Sequence, residues 1–183
     1  MNGKILGASL LAVMFLSISG VVLAQAFEDA KNVRDGESSL HRRVAIILPA
    51  DGRLTDPKSG KLHQGLGLEC ITGNPDGISY FSPDNDLNVA INAPVSVEVS
   101  VDDNAPVRFA TIRQVNHTYP NGLTSRADDA ESTLRLMRNL ETAKEVIRVD
   151  VTNPANGKIK AFVLKADDMK GTIKEFHSFC DFK

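Results

Sequence analysis

The sequence has no tryptophan and only two tyrosines, and aromatic residues make up 5% of its 183 residues. A surface that stacks sugars or bases needs such rings, so their scarcity argues against that kind of binding. A basic excess is missing as well: 21 Lys and Arg face 23 Asp and Glu, a formal net charge of −2. Nucleic-acid binders and proteins held on anionic membrane surfaces carry such an excess, so neither partner is expected. Cysteine is reduced to Cys70 and Cys180, too few for a Cys-rich zinc cluster and too far apart for a Cys-x-x-Cys redox pair.

The residues of common catalytic motifs are scarce too. The histidines His41, His63, His117 and His177 stand at no metal-binding spacing. No Gly-x-Ser-x-Gly or Ser-x-x-Lys prepares a serine nucleophile, and Gly65, Gly67, Gly73 and Gly77 are spaced as turns, unlike a phosphate loop. Asp84-Asn85-Asp86 opens like a calcium loop, but Val89 stands where such a loop needs glycine, so a solvated turn is expected. Asn116-His117-Thr118 would be a glycosylation site only on a eukaryotic secretory route. These absences point to a protein that is not an enzyme, with no catalytic residues, no metal site and no cofactor.

What is present begins at the N-terminus. Lys4 is followed by an apolar run to about Leu23 and then Ala24-Gln25-Ala26, the charged head, apolar middle and small-residue exit of a secretory signal. Residues 1–26 are therefore expected to be removed. A retained anchor is the alternative, since the run approaches the length of about 18–20 residues that spans a bilayer. No cysteine follows the run, which argues against a lipoprotein. Export places the chain in the periplasm or outside the cell, with no stable membrane span after cleavage. In that oxidising setting a lone cysteine pair forms a structural disulfide.

Residues 27–42 are polar, without hydrophobic period, and read as a tether; 43–183 read as one globular domain. Strands are expected at 44–48, 66–70, 78–81, 87–91, 95–101, 107–112, 146–151 and 159–164. The clearest is Val95, Val97, Val99 and Val101 alternating with Ser96, Glu98 and Ser100. Asn74-Pro75-Asp76-Gly77 and Asp102-Asp103-Asn104 read as turns. A helix capped by Ser125, with Asp128 three residues on, should run to near Lys144 and bury Ala130, Leu134, Met137 and Leu140. A second, capped by Asp167, puts Met169, Ile173, Phe176 and Cys180 on one face, while the alternation at 66–70 turns Cys70 inward. The fold class is α+β: a mainly antiparallel, β-sandwich-like domain with two short helices.

Several pieces occur in a particular order: Leu66-Gly67-Leu68-Glu69-Cys70, then 95–102 leading into a hairpin, Leu134-Arg135-Leu136-Met137-Arg138-Asn139-Leu140 before Val146-Ile147-Arg148-Val149, and Ala161-Phe162-Val163-Leu164 before a short helix and Cys180. This layout resembles periplasmic accessory proteins associated with type VI secretion and related exported β-sandwich proteins of the invasion-associated locus B type. The resemblance implies that the strand cysteine pairs with the C-terminal one, Cys70 with Cys180. It also implies a role beside other envelope proteins. Phe109 and Phe182 stand where those families place tryptophan.

The expected function is thus a non-catalytic exported accessory or protein-binding module, secretion- or envelope-associated. Its partner would be another envelope or secreted protein. Two alternatives are an inhibitor of an enzyme such as lysozyme, using loop 50–61 or 113–126 as a plug, and a hydrolase whose site assembles only in three dimensions. For the binding module, the expected contact surfaces are the hairpin edge around 95–112 and the loop 113–126.

Overall fold

Strict alternation of apolar and polar residues makes a strand with one wet and one dry face, and the computed structural model is built largely from such strands. It describes residues 27–34, 38–47, 64–71, 74–115 and 121–180, with the backbone alone for 27–47. The N-terminal half contributes β1 (Phe27–Arg34), β2 (Ser38–Ile47), β3 (Gly65–Ile71), β4 (Asn74–Ser82), β5 (Pro94–Val101) and β6 (Val107–Gln114). Then come β7 (Leu123–Asp128), α1 (Ala130–Glu141), β8 (Val146–Thr152), β9 (Ile159–Lys165), a single 3-10 turn at Ala166–Asp168 and α2 (Lys170–Phe179).

All pairings are antiparallel, and the described strands form one sheet in the order β1-β2-β3-β4-β7-β6-β5-β8-β9. One buried cluster takes inward residues from every strand between β3 and β9 and from both helices. A sheet whose two ends share a core must curl around it. The fold is therefore α+β and mainly antiparallel with two short helices, as expected, and its layering comes from one curled sheet. α1 packs on β4, β5 and β6, while α2 packs on α1 and β2. On β5 the four valines are buried, and on β6 Val107, Phe109, Thr111 and Arg113 are. Each apolar side chain so buried contributes roughly 1.5–3 kcal/mol.

The structure departs from the sequence reading in several places. Residues 27–34 and 38–42, expected as a tether, lie in β1 and β2; β3 supplies a hydrogen-bonding template that the local pattern does not reveal. Asn74 and Pro75, expected in a turn, already pair with Ile71 and Cys70, because a bulge between Glu69 and Cys70 shifts the register. Gly77 is needed there: a Cβ on it would stand 1.9 Å from the Ala127 carbonyl oxygen on β7. Residues 87–91 form no strand. Asn88 and Asn92 take positive φ, and Asn85 folds the segment back by accepting from the Val89 N–H and donating to its carbonyl.

Ser125 caps nothing; it faces inward on β7, where its hydroxyl pairs with that of Thr111 at 2.8 Å. Leu123, Ser125 and Ala127 alternate into the core, and pairing with β4 and β6 on both sides overrides a local helix start. The N-cap of α1 is Asp129, which accepts from the Ser132 N–H at 2.9 Å. Ala130 is exposed, and the buried stripe is Thr133, Leu136, Met137 and Leu140. Asp167 likewise caps nothing; it lies in the 3-10 turn and pairs with Lys170, and the residue before α2 is Met169. Met169, Ile173, Phe176 and Cys180 are buried together as expected.

Candidate functional site

Cys70 and Cys180 are joined by a disulfide with Cα atoms 6.1 Å apart. Both are buried, one on the inward face of β3 and one directly after α2. The bond ties the end of the chain to the half of the sheet that α2 overlies. A bonded pair of this kind fits an oxidising compartment. No helix among the described residues is long and apolar enough to cross a membrane. Residues 1–26, expected as a signal, residues 50–61, expected as a loop, His63 and the sequon at Asn116 with His117 lie outside the described residues.

The acidic turn after β4 is organised by a lysine. Lys160 of β9 reaches across to Asp84 at 2.6 Å, Asp86 at 3.2 Å and the Ser82 hydroxyl at 3.2 Å. Burial pushes the Asp84 carboxyl up, but the hydrogen bond and charge of Lys160 outweigh it and hold the group below the ordinary carboxylate range. Burial pulls the Lys160 ammonium down, and the two carboxylates more than offset that. A lysine that would take a proton from Ser82 needs the opposite shift. Lys160 therefore acts as the counter-ion of the turn. Beneath it, burial raises the Tyr80 hydroxyl far above its usual range. Among the described residues no three His, Cys, Asp or Glu side chains converge as metal ligands.

His177 sits on α2 and pairs with Glu141 of α1, Nε2 to Oε1, at 3.0 Å. The two border a shallow cleft of about 280 Å³ between the helices, with Leu140 and Ile173 in its floor and Lys170 and Lys174 on its rim. Arg113 is the residue the sequence reading passed over. It is only 8% exposed at the inward end of β6, and its guanidinium donates to the carbonyls of Val89 and Gly122, the latter at 3.1 Å. The alternation Val107, Phe109, Thr111, Arg113 carries the signal that places it inside.

At the hairpin between β5 and β6, Asp102 has φ 47° and its carboxylate accepts from the backbone N–H groups of Lys144, Glu145 and Val146 at 2.7, 3.0 and 2.9 Å. Those bonds hold its carboxyl below the ordinary range. A carboxylate with a depressed folded value stabilises the fold above its unfolded pKa, and that contribution fades as pH falls through the folded value. Asp102→Asn is expected to unfold more readily than the parent at neutral pH and equally readily in acid. Urea midpoints compared across pH 2–7 check this; a deficit that persists unchanged in acid contradicts it.

The expected contact edge at 95–112 is not an edge. β5 and β6 lie inside the sheet, flanked by β8 and β7. Among the described strands β9 ends the sheet instead, and on its outward face Ile159 is 64% and Val163 49% exposed. The hydrogen bonds that continue the β8–β9 ladder, Asn153 N–H to Lys158 carbonyl and Ala166 N–H to Glu145 carbonyl, fix its phase. Even-numbered residues of β9 turn their backbone groups to β8, and Ile159, Ala161, Val163 and Lys165 turn theirs to the open side. No family model, characterised protein or solved structure matches this chain.

Proposed function

We propose that this chain is a non-catalytic protein-binding module of an oxidising compartment outside the cytoplasm, periplasmic where the leader segment directs it, acting as an accessory to another envelope or secreted protein. The observation that carries this reading is the set of large apolar side chains left uncovered on the sheet and beside it. Ile159 and Val163 stand on the outward face of β9, Val146 of β8 lies opposite Lys165 and diagonal to Val163, and Ile91, Ile112 and Val115 are exposed around the C-terminal end of β6. Grouped apolar exposure on a folded surface marks an interaction site. The disulfide and the packed core keep these surfaces rigid, which lowers the ordering cost of binding. The acidic turn supports the same reading, since Lys160 is committed to Asp84 and Asp86. The order of sequence pieces that resembles secretion-associated accessory proteins is in keeping with it.

The test is photo-cross-linking in the source cells, with the reactive side chain placed in turn at Ile91, Ile112, Ile159 and Val163. Discrete adducts with another protein are expected at one group of positions. Absence of adducts at all four contradicts the reading.

A further inference from the structure

We propose that β9 is a strand-addition site for an extended segment of another protein, one with alternating apolar residues bracketed by carboxylates. The proposal rests on the protein-binding reading and assigns the surface and the chemistry of the partner.

Three features coincide on this strand. First, Ile159, Ala161, Val163 and Lys165 turn N–H and C=O groups to the open side that no strand among the described residues pairs, a template for one more antiparallel strand. Second, the same residues carry the exposed apolar side chains, so an added strand would satisfy the backbone and cover Ile159 and Val163 in one step. Third, exposed lysines stand at both ends. Lys165 points outward at one end, and Lys158 at the other directs its ammonium, among the described residues, to a backbone carbonyl, that of Asp86. Lys160 between them is already neutralised by Asp84 and Asp86.

The unspent positive charge therefore sits at the two ends of the strand, and acidic groups on the partner would meet it there. A second copy of the chain fits less well, because it would bring its own Lys158 and Lys165 to the same seam. A lipid surface would leave the row of backbone groups unpaired.

The probe is the synthetic peptide Glu-Thr-Val-Thr-Val-Thr-Val-Glu, which in antiparallel register puts valines beside Val163, Ala161 and Ile159 and glutamates opposite Lys165 and Lys158. It is titrated into the disulfide-bonded, isotope-labelled chain. Amide signals of residues 159, 161, 163 and 165 are expected to shift and to gain exchange protection, while those of 160, 162 and 164 hold. Lys158→Glu with Lys165→Glu is expected to weaken binding by about tenfold, and added salt to weaken it as well.

Val163→Pro removes an N–H that faces the open side, so the fold survives and binding is lost. Val163→Thr keeps the N–H and keeps binding. Should the proline variant fail to fold, a peptide N-methylated at its bonding amides gives the same information against the unaltered chain, and loss of binding is expected. The proposal is overturned if the N-methylated peptide binds equally well, if the shifts map to Ile91 and Ile112, or if a dimer of the chain protects the β9 amides without peptide. No binding of the peptide, with cross-links at Ile91 or Ile112, removes this proposal and leaves the binding-module reading standing. Neither peptide binding nor any cross-link removes both.

Discussion

Replacing Cys70 and Cys180 together by alanine is expected to lower the unfolding free energy by about 3–5 kcal/mol. The bond closes a loop of 110 positions. Opening it returns to the unfolded chain the freedom that a loop of that length had lost. The cost falls on the end of the chain, because Cys180 fastens α2, whose residues Met169, Ile173 and Phe176 lie in the core. Urea unfolding with and without reductant gives the same comparison in one protein. Equal midpoints in the bonded and reduced forms would show that the bond adds nothing to packing already present. The corollary is that the chain made in a reducing compartment should be markedly less stable than the disulfide-bonded one.

Arg126→Met is expected to cost about 1.5–3 kcal/mol at neutral pH, the worth of the charged hydrogen bonds it removes from the buried Glu69 carboxylate and from Asp76. Arg126 on β7 donates through Nε to Glu69 at 2.9 Å and pairs with Asp128 at 2.8 Å and with Asp76. Glu69 is on β3 and is 2% exposed. In register it lies opposite Gly77, which in turn lies opposite Asp128, so one guanidinium joins three strands across β4. Without it the Glu69 carboxylate stays buried and deprived of its arginine. Glu69→Gln combined with Arg126→Met should recover part of the loss. Urea denaturation of the single and double variants measures this. A double variant as unstable as Arg126→Met alone would contradict the account.

The sequence was most legible where a single face was buried. The valines of β5 and the apolar stripe of α2 follow from period alone, because side-chain direction is set by the backbone and only the dry face tolerates apolar groups, whereas β3 around Cys70 is buried on both faces. The same reasoning makes a bond between Cys70 and Cys180 plausible, which the structure shows. It failed where a segment is defined by its neighbours. β7 has a helix-like capping pair at Ser125 and Asp128, yet pairing on both sides makes it a strand. Leu87 and Val89 look like a strand because both are buried, although Asn85, Asn153 and Asn156 hold them in an irregular loop.

The candidate surface was hidden for the same reason. Residues 159–164 read correctly as the partner of 146–151, but nothing local tells an edge strand from an inner one. That distinction depends on the order of the described strands, and it moves the proposed binding surface from the β5–β6 hairpin to β9. The acidic turn at 84–86 gave a weak cation signal that a distant lysine, Lys160, answers from within the chain.

Site-resolved amide hydrogen exchange of the free chain tests most directly whether β9 is an open template. The account predicts alternation along this strand: slow exchange at Lys160, Phe162 and Leu164, whose N–H groups face β8, and fast exchange at Ile159, Ala161, Val163 and Lys165. Uniform protection of all seven amides would mean that the edge is already covered in the free protein, and would contradict it.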